Sequence, residues 1–180
     1  MNSRISADAQ DPLGRKPVHL ACYNSLDVLN ILDIPDSDFK AKDIVGRVPL
    51  LYAALSGQPD LVQEVIARSE RVGIGIDVQD TDGWTPLLWA ARNSAVKTWS
   101  ERQRLLQGEV ISLILAKGAD KATPAGGLFQ DDWTAIQIAF YHNADRYAAS
   151  LKGTPSKEHH GHPQLHGGRM VTNRNVVSPA

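Results

Sequence analysis

The sequence predicts an all-α solenoid of about four helix–turn–helix repeats, joined by projecting β-turn or hairpin loops. One phrase occurs four times: GRKPVHLAC from Gly14, GRVPLLYAA from Gly46, GWTPLLWAA from Gly83 and DWTAIQIAF from Asp132. The starts lie 32, 37 and 49 residues apart, the spacing of a stacked array with insertions in its later copies. A composition of 42% hydrophobic and 22% charged residues suits one ordinary folded domain.

The second copy gives the clearest view of a unit. Asp43-Ile44-Val45-Gly46 forms a turn, because aspartate bonds nearby amides and glycine accepts tight backbone geometry. Pro49 opens a short helix at the position where a missing N–H costs nothing. Ala53 and Ala54 let a neighbouring helix approach, and Gly57 fits a left-handed cap. A second helix starts near Pro59, with Leu61, Val62, Val65 and Ile66 on one face. In copy three, Thr85-Pro86 is a stronger start, and Val110, Ile111, Ile114 and Leu115 repeat the stripe. Val28, Leu29, Ile31 and Leu32 are expected to take that part in copy one, and Asn143 takes the glycine place in copy four. No unit alone can bury its apolar face; stacked units share a core.

These residues resemble the ankyrin repeat over residues 11–151. The tetrapeptide that reads T-P-L-H in that family stands here as Lys16-Pro17-Val18-His19, Val48-Pro49-Leu50-Leu51, Thr85-Pro86-Leu87-Leu88 and Thr134-Ala135-Ile136-Gln137. No copy keeps both the threonine and the histidine. The resemblance implies a concave binding strip of turn tips and exposed first-helix positions. Those places map onto Leu13, Arg15, Tyr23 and Asn24; Val45, Arg47, Leu55 and Ser56; Asp82, Trp84, Arg92 and Asn93; and Asp131, Trp133, Tyr141 and His142. Aromatic and arginine side chains of this kind often dominate interface energy. The tryptophans have an equal alternative, packing on the next turn. Trp89 and Tyr52 point inward by register, and His19 reads as a hydrogen-bonding core residue.

Three segments break the pattern. A helical insertion near 94–108 carries Trp99, Gln103, Leu105 and Leu106, as a partner-contacting protrusion or as a lengthened helix covering its own array. Lys121 to Asp131 reads as an enlarged turn loop. Gly73-Ile74-Gly75 lacks the third glycine and the context of a nucleotide fingerprint. Residues 1–10 are expected to be a flexible N-terminus and 152–180 a disordered tail, rich in Gly, Pro, Ser and His. His159, His160, His162 and His166 offer a loose metal-ligand set or only a polar tail; no cysteine or scaffold fixes a tetrahedral site, so no metal is assigned.

Nineteen basic against twenty acidic residues, with no concentrated basic face, argue against nucleic acid. The tail carries a local charge of +3 and the body −4. Cys22 is the sole cysteine, which excludes an internal disulfide and suits a reducing compartment. No secretory leader or membrane-spanning run is found, so the expected location is intracellular, cytoplasm or nucleus. Cys22 occupies a small-residue packing place, and no phosphate loop, zinc-protease motif or serine elbow occurs. Turn aspartates Asp43, Asp80, Asp82, Asp131 and Asp132 make either a negative ridge or ordinary turns. The expected protein is therefore a non-enzymatic adaptor for a protein partner, without a cofactor. The alternatives are a metal-responsive regulator acting through the histidine tail, or a fragment of a larger ankyrin-array protein.

Overall fold

The computed structural model describes residues 8–93, 100–126, 133–141, 164–166 and 169–171. Seven helices occur there: α1 (Pro17–Asn24), α2 (Leu26–Ile31), α3 (Pro49–Ser56), α4 (Pro59–Arg71), α5 (Pro86–Asn93), α6 (Glu101–Ala116) and α7 (Ala135–Tyr141), with a 3-10 helix at Asp36–Lys40 between α2 and α3. The short helices α1, α3, α5 and α7 lie in one row, each packed on the next, and α4 packs on α6 in a second row. This is the all-α stack that the repeated phrase predicts. Three helix pairs and the first helix of a fourth are described. Strands β1 (Gln164–His166) and β2 (Arg169–Val171) pair antiparallel with each other. They fall in the segment where no ordered element was expected.

Sequence chemistry accounts for the row. α1, α3 and α5 are each eight residues long and begin at a proline. Each buries a pair of small side chains, Ala21 and Cys22, Ala53 and Ala54, or Ala90 and Ala91. Cys22 thus fills an alanine place, and burial pushes its thiol well above the usual range, which leaves it unreactive. Gly57 caps α3 with a left-handed φ of 68°. On α4, Leu61, Val62, Val65 and Ile66 are all buried. Each such aliphatic side chain contributes about 1.5–3 kcal/mol on leaving water, so stacking dominates the stability.

The first unit departs from expectation. Its second helix has only six residues. Leu29 is buried, but Ile31 is 80% and Leu32 40% exposed, so neither belongs to the core. Ile34, in the link before the 3-10 helix, and Phe39, on that helix, replace them. Asp36 secures that link. It accepts from Arg68 Nε and Arg71 Nε, both at 2.6 Å, and the two guanidiniums, Arg71 first, hold its carboxyl down at about 2. Arg68 also donates to the Ile34 carbonyl and lies 4.4 Å over the Phe39 ring.

The third unit is longer. From Gly46 to Gly73, which ends its helix pair with φ +81°, is 27 residues; from Gly83 to the equivalent Gly118 is 35. α6 accommodates this with 16 residues, opened by a Ser100–Gln103 capping box. Val110 and Ile114 are buried as the stripe requires, whereas Gln103 and Leu105 are exposed, and Trp99 lies outside the described residues. Gln107 is fully buried, and its Nε2 donates to the carbonyls of Ala54 (3.1 Å) and Ala90 (3.0 Å). Those carbonyls belong to the last turns of α3 and α5, where helices leave acceptors unpaired.

Candidate protein-binding face

The turns that project from the stack share one construction. Asp11, Asp43 and Asp80 each stand three residues before a glycine with positive φ: Gly14 (+71°), Gly46 (+77°) and Gly83 (+76°). In each turn one carboxylate oxygen accepts two backbone N–H groups, from Leu13 and Arg15, Val45 and Arg47, or Asp82 and Trp84. Adjacent turns are also bonded: Ile44 N donates to Leu13 O (3.1 Å) and Thr81 N to Val45 O (3.0 Å). A Cβ on Gly46 would lie 3.2 Å from Thr81 N, so glycine is required there by both φ and contact. These aspartates are structural, and Asp82 at the tip of the third turn stays exposed. Asp131 and Asp132 lie outside the described residues.

The fourth turn is enlarged, as the sequence predicts. Ala125 N donates to Trp133 O (2.7 Å) in the place of the Asp80–Trp84 bond, but eight residues separate this pair where four separate the other. Alanine also replaces the turn aspartate. Gly126 packs on the third turn, where a Cβ would meet Asp82 O at 2.9 Å.

The second carboxylate oxygen distinguishes the units. Asp11 takes Arg15 Nε at 2.7 Å. Asp43 takes Arg47 Nε and the Tyr52 hydroxyl, each at 2.7 Å. Burial opposes ionisation of Asp43 more than any other single influence, yet these donors together bring its carboxyl below the ordinary value. Asp80 takes the Trp89 indole N–H at 3.0 Å. Arg47 lies 5.1 Å over the Tyr52 ring, and Arg92 lies 5.3 Å over the Trp89 ring, the equivalent place one unit on. His19 is fully buried. Lys16 N donates to its Nδ1 (3.0 Å), and its Nε2 faces the carbonyls of Ala41 (3.1 Å) and Arg47 (3.2 Å). Burial holds its pKa below the usual histidine value.

This geometry sorts the expected strip. Tyr23 (56% exposed), Asn24, Asp82 and Arg92 are exposed, and Leu55 is half-buried. Arg15 and Arg47 are half-buried and committed to their turn aspartates. Asn93 is turned inward, donating to the Leu55 carbonyl at 2.5 Å. For Trp84 and Trp133 two readings stood equal, anchor in the strip or packing on the next turn, and the structure favours packing: they are only 7% and 8% exposed. Tyr52 is buried as register requires, and Trp89 is half-buried against the core. The Tyr141 side chain and His142 lie outside the described residues. Sequence reasoning missed Gln107, Asp36 and Phe39; the DSDF segment carried a signal in its phenylalanine, but no repeat position predicted it.

Glycine-turned helix pairs stacked in a row, with an exposed edge of turns and first helices, define a repeat-type interaction scaffold. A family model described as ankyrin repeats matches three copies over residues 18–125. The chain belongs to the ankyrin repeat family. It is similar to the ankyrin repeat domain-containing protein SAT10 of Stachybotrys chartarum, at 32% identity over 141 residues. That alignment covers 78% of this chain and 7% of the relative, so the chain matches a small part of a much longer protein. Ankyrin repeats are generally non-enzymatic protein–protein interaction modules. Among the described residues, no helix is long and apolar enough to cross a membrane, and no group of three or more His, Cys, Asp or Glu could hold a metal ion.

Proposed function

We propose that this chain is a non-enzymatic adaptor that captures a protein partner along the row formed by Tyr23, Asn24, Leu55 and Arg92, with Asp82 at the turn edge. The observation that carries this reading is register. Tyr23, Leu55 and Arg92 hold the same place in successive units, on helices packed side by side, and Tyr23 and Arg92 both keep exposed side chains. An exposed tyrosine with no core duty is available as an interface anchor. Arg15 and Arg47 border the row as fixed, charge-neutralised parts of the turns.

A Tyr23→Ala, Asn24→Ala double variant tests this reading. Folding is checked by circular dichroism, and the partners recovered by affinity purification are compared with those of the native chain. Loss of the partners supports the reading; retention of every partner by the folded variant overturns it. Truncating one interface anchor typically costs about 2 kcal/mol or more, a loss of roughly thirtyfold in affinity.

A further inference from the structure

We propose that the Trp84–Trp89 pair is a receptor for a cationic side chain of the partner, and that Arg92 occupies it in the free chain. For its partner the proposal rests on the adaptor reading above; the receptor itself is read from the geometry of the third unit. The two indoles lie with centroids 5.0 Å apart and planes inclined at 44°. The Arg92 guanidinium carbon stands 5.4 Å from one ring and 5.3 Å from the other, within reach of both π-faces. Asp80 accepts the Trp89 N–H at 3.0 Å, which feeds electron density into that ring and strengthens its hold on a cation. Asp82 is exposed on the same turn, two residues before Trp84. Two aromatic faces, one of them bonded to a carboxylate, make up the chemistry of a cation site.

The second unit shows why Arg92 is displaceable. There Arg47 lies over Tyr52 but is clamped at 2.7 Å by the buried carboxylate of Asp43, so ring and cation form one closed structural unit. Arg92 comes from the last turn of α5 and is exposed, and among the described residues no ion pair holds it. Its long side chain can swing into water, uncovering the indole faces. A lysine or arginine from a docked partner would be shielded from solvent there, where attraction to an aromatic face is stronger than at an open surface.

Choline chloride serves as a compact cationic probe and the neutral isostere 3,3-dimethylbutan-1-ol as its control, with the indole N–H resonances of Trp84 and Trp89 followed by NMR. In the Arg92→Ala protein, choline produces saturable shifts at both indoles and the alcohol does not. Native protein responds roughly three- to sixfold more weakly because Arg92 competes. Trp89→Phe on the Arg92→Ala background, folded by circular dichroism, weakens the response. The proposal is overturned by no saturable shift in Arg92→Ala, by equal shifts from the alcohol, or by equal affinity in native and Arg92→Ala proteins. Failure of the Tyr23 and Asn24 variant to lose its partners would instead remove the adaptor reading and leave the choline result standing.

Discussion

The second and third units start from nearly the same phrase and place a guanidinium over the same helix aromatic, yet one arrangement is sealed and the other open. In the second, Arg47 follows the turn glycine directly, and Asp43 binds it together with the Tyr52 hydroxyl. In the third, tryptophan occupies that post-glycine place, the indole N–H of Trp89 satisfies Asp80, and the cation arrives from Arg92 at the far end of the helix. An array can thus keep its spatial pattern while changing which residue supplies it. The carboxylate decides the consequence: a cation shared with a buried carboxylate is scaffold, and a cation held only by rings is surface.

The sharpest break in this comparison comes at the aspartates. Asp43→Ala removes the acceptor of two amides, a guanidinium and a buried hydroxyl. We expect about 3–4 kcal/mol of destabilisation by urea denaturation. Asp80→Ala removes the acceptor of two amides and one indole at a half-buried site, and about 1–2 kcal/mol is expected. Equal losses would mean that the two turns are alike despite their partners. Gly46→Ala sharpens the point on the backbone. It combines φ +77° with a Cβ 3.1 Å from Thr81 Cγ2, whereas Gly73 has φ +81° and nothing within 4 Å. Roughly 1 kcal/mol is expected at Gly73 and roughly 2 at Gly46, the excess reporting the bond between turns.

The repeat itself was legible because its physical requirements are local. Proline at a helix start, glycine where φ is positive and paired small residues on a packed face each leave a mark at fixed spacing. What the sequence concealed depends on position in the stack. Ile31 and Leu32 look like a core stripe, but α2 stops after six residues and the link through Phe39 fills the space instead. Trp84 and Trp133 stand at variable family positions, where exposure and packing were equally open; both rings are nearly buried, a choice made by neighbouring residues. Gln107 reads as a polar residue on a helix, and only the carbonyl ends of two other helices give it a buried role. Asn93 is similar, because its partner lies 38 residues earlier.

Acid provides a graded test that separates the first unit from the second. His19 has a folded pKa below its ordinary value, chiefly through burial, so its contribution is complete above pH ~6.5 and declines as pH falls below that. Protonation would also turn Nδ1, which accepts from Lys16 N, into a donor facing a donor. Asp43, whose folded pKa is lowered, contributes above pH ~3.9 and loses that contribution as pH falls through its folded value. Stability followed against pH should therefore fall in two stages. His19→Gln should suppress the upper stage alone, and an unchanged upper stage would place its origin elsewhere.

The smallest expected effect is the most discriminating for the open site. Arg47→Ala leaves Asp43 buried without its cation while the two amides and the Tyr52 hydroxyl remain, so about 1.5–2 kcal/mol should be lost in urea denaturation. Among the described residues, Arg92→Ala gives up the contacts of an exposed guanidinium with two rings and should cost no more than about 0.5–1 kcal/mol. The stability difference between these two variants measures how far a guanidinium over an aromatic ring depends on its carboxylate. If Arg92→Ala cost as much as Arg47→Ala, the third-unit cation would be scaffold after all, and the indole pair beneath it would be closed to any partner.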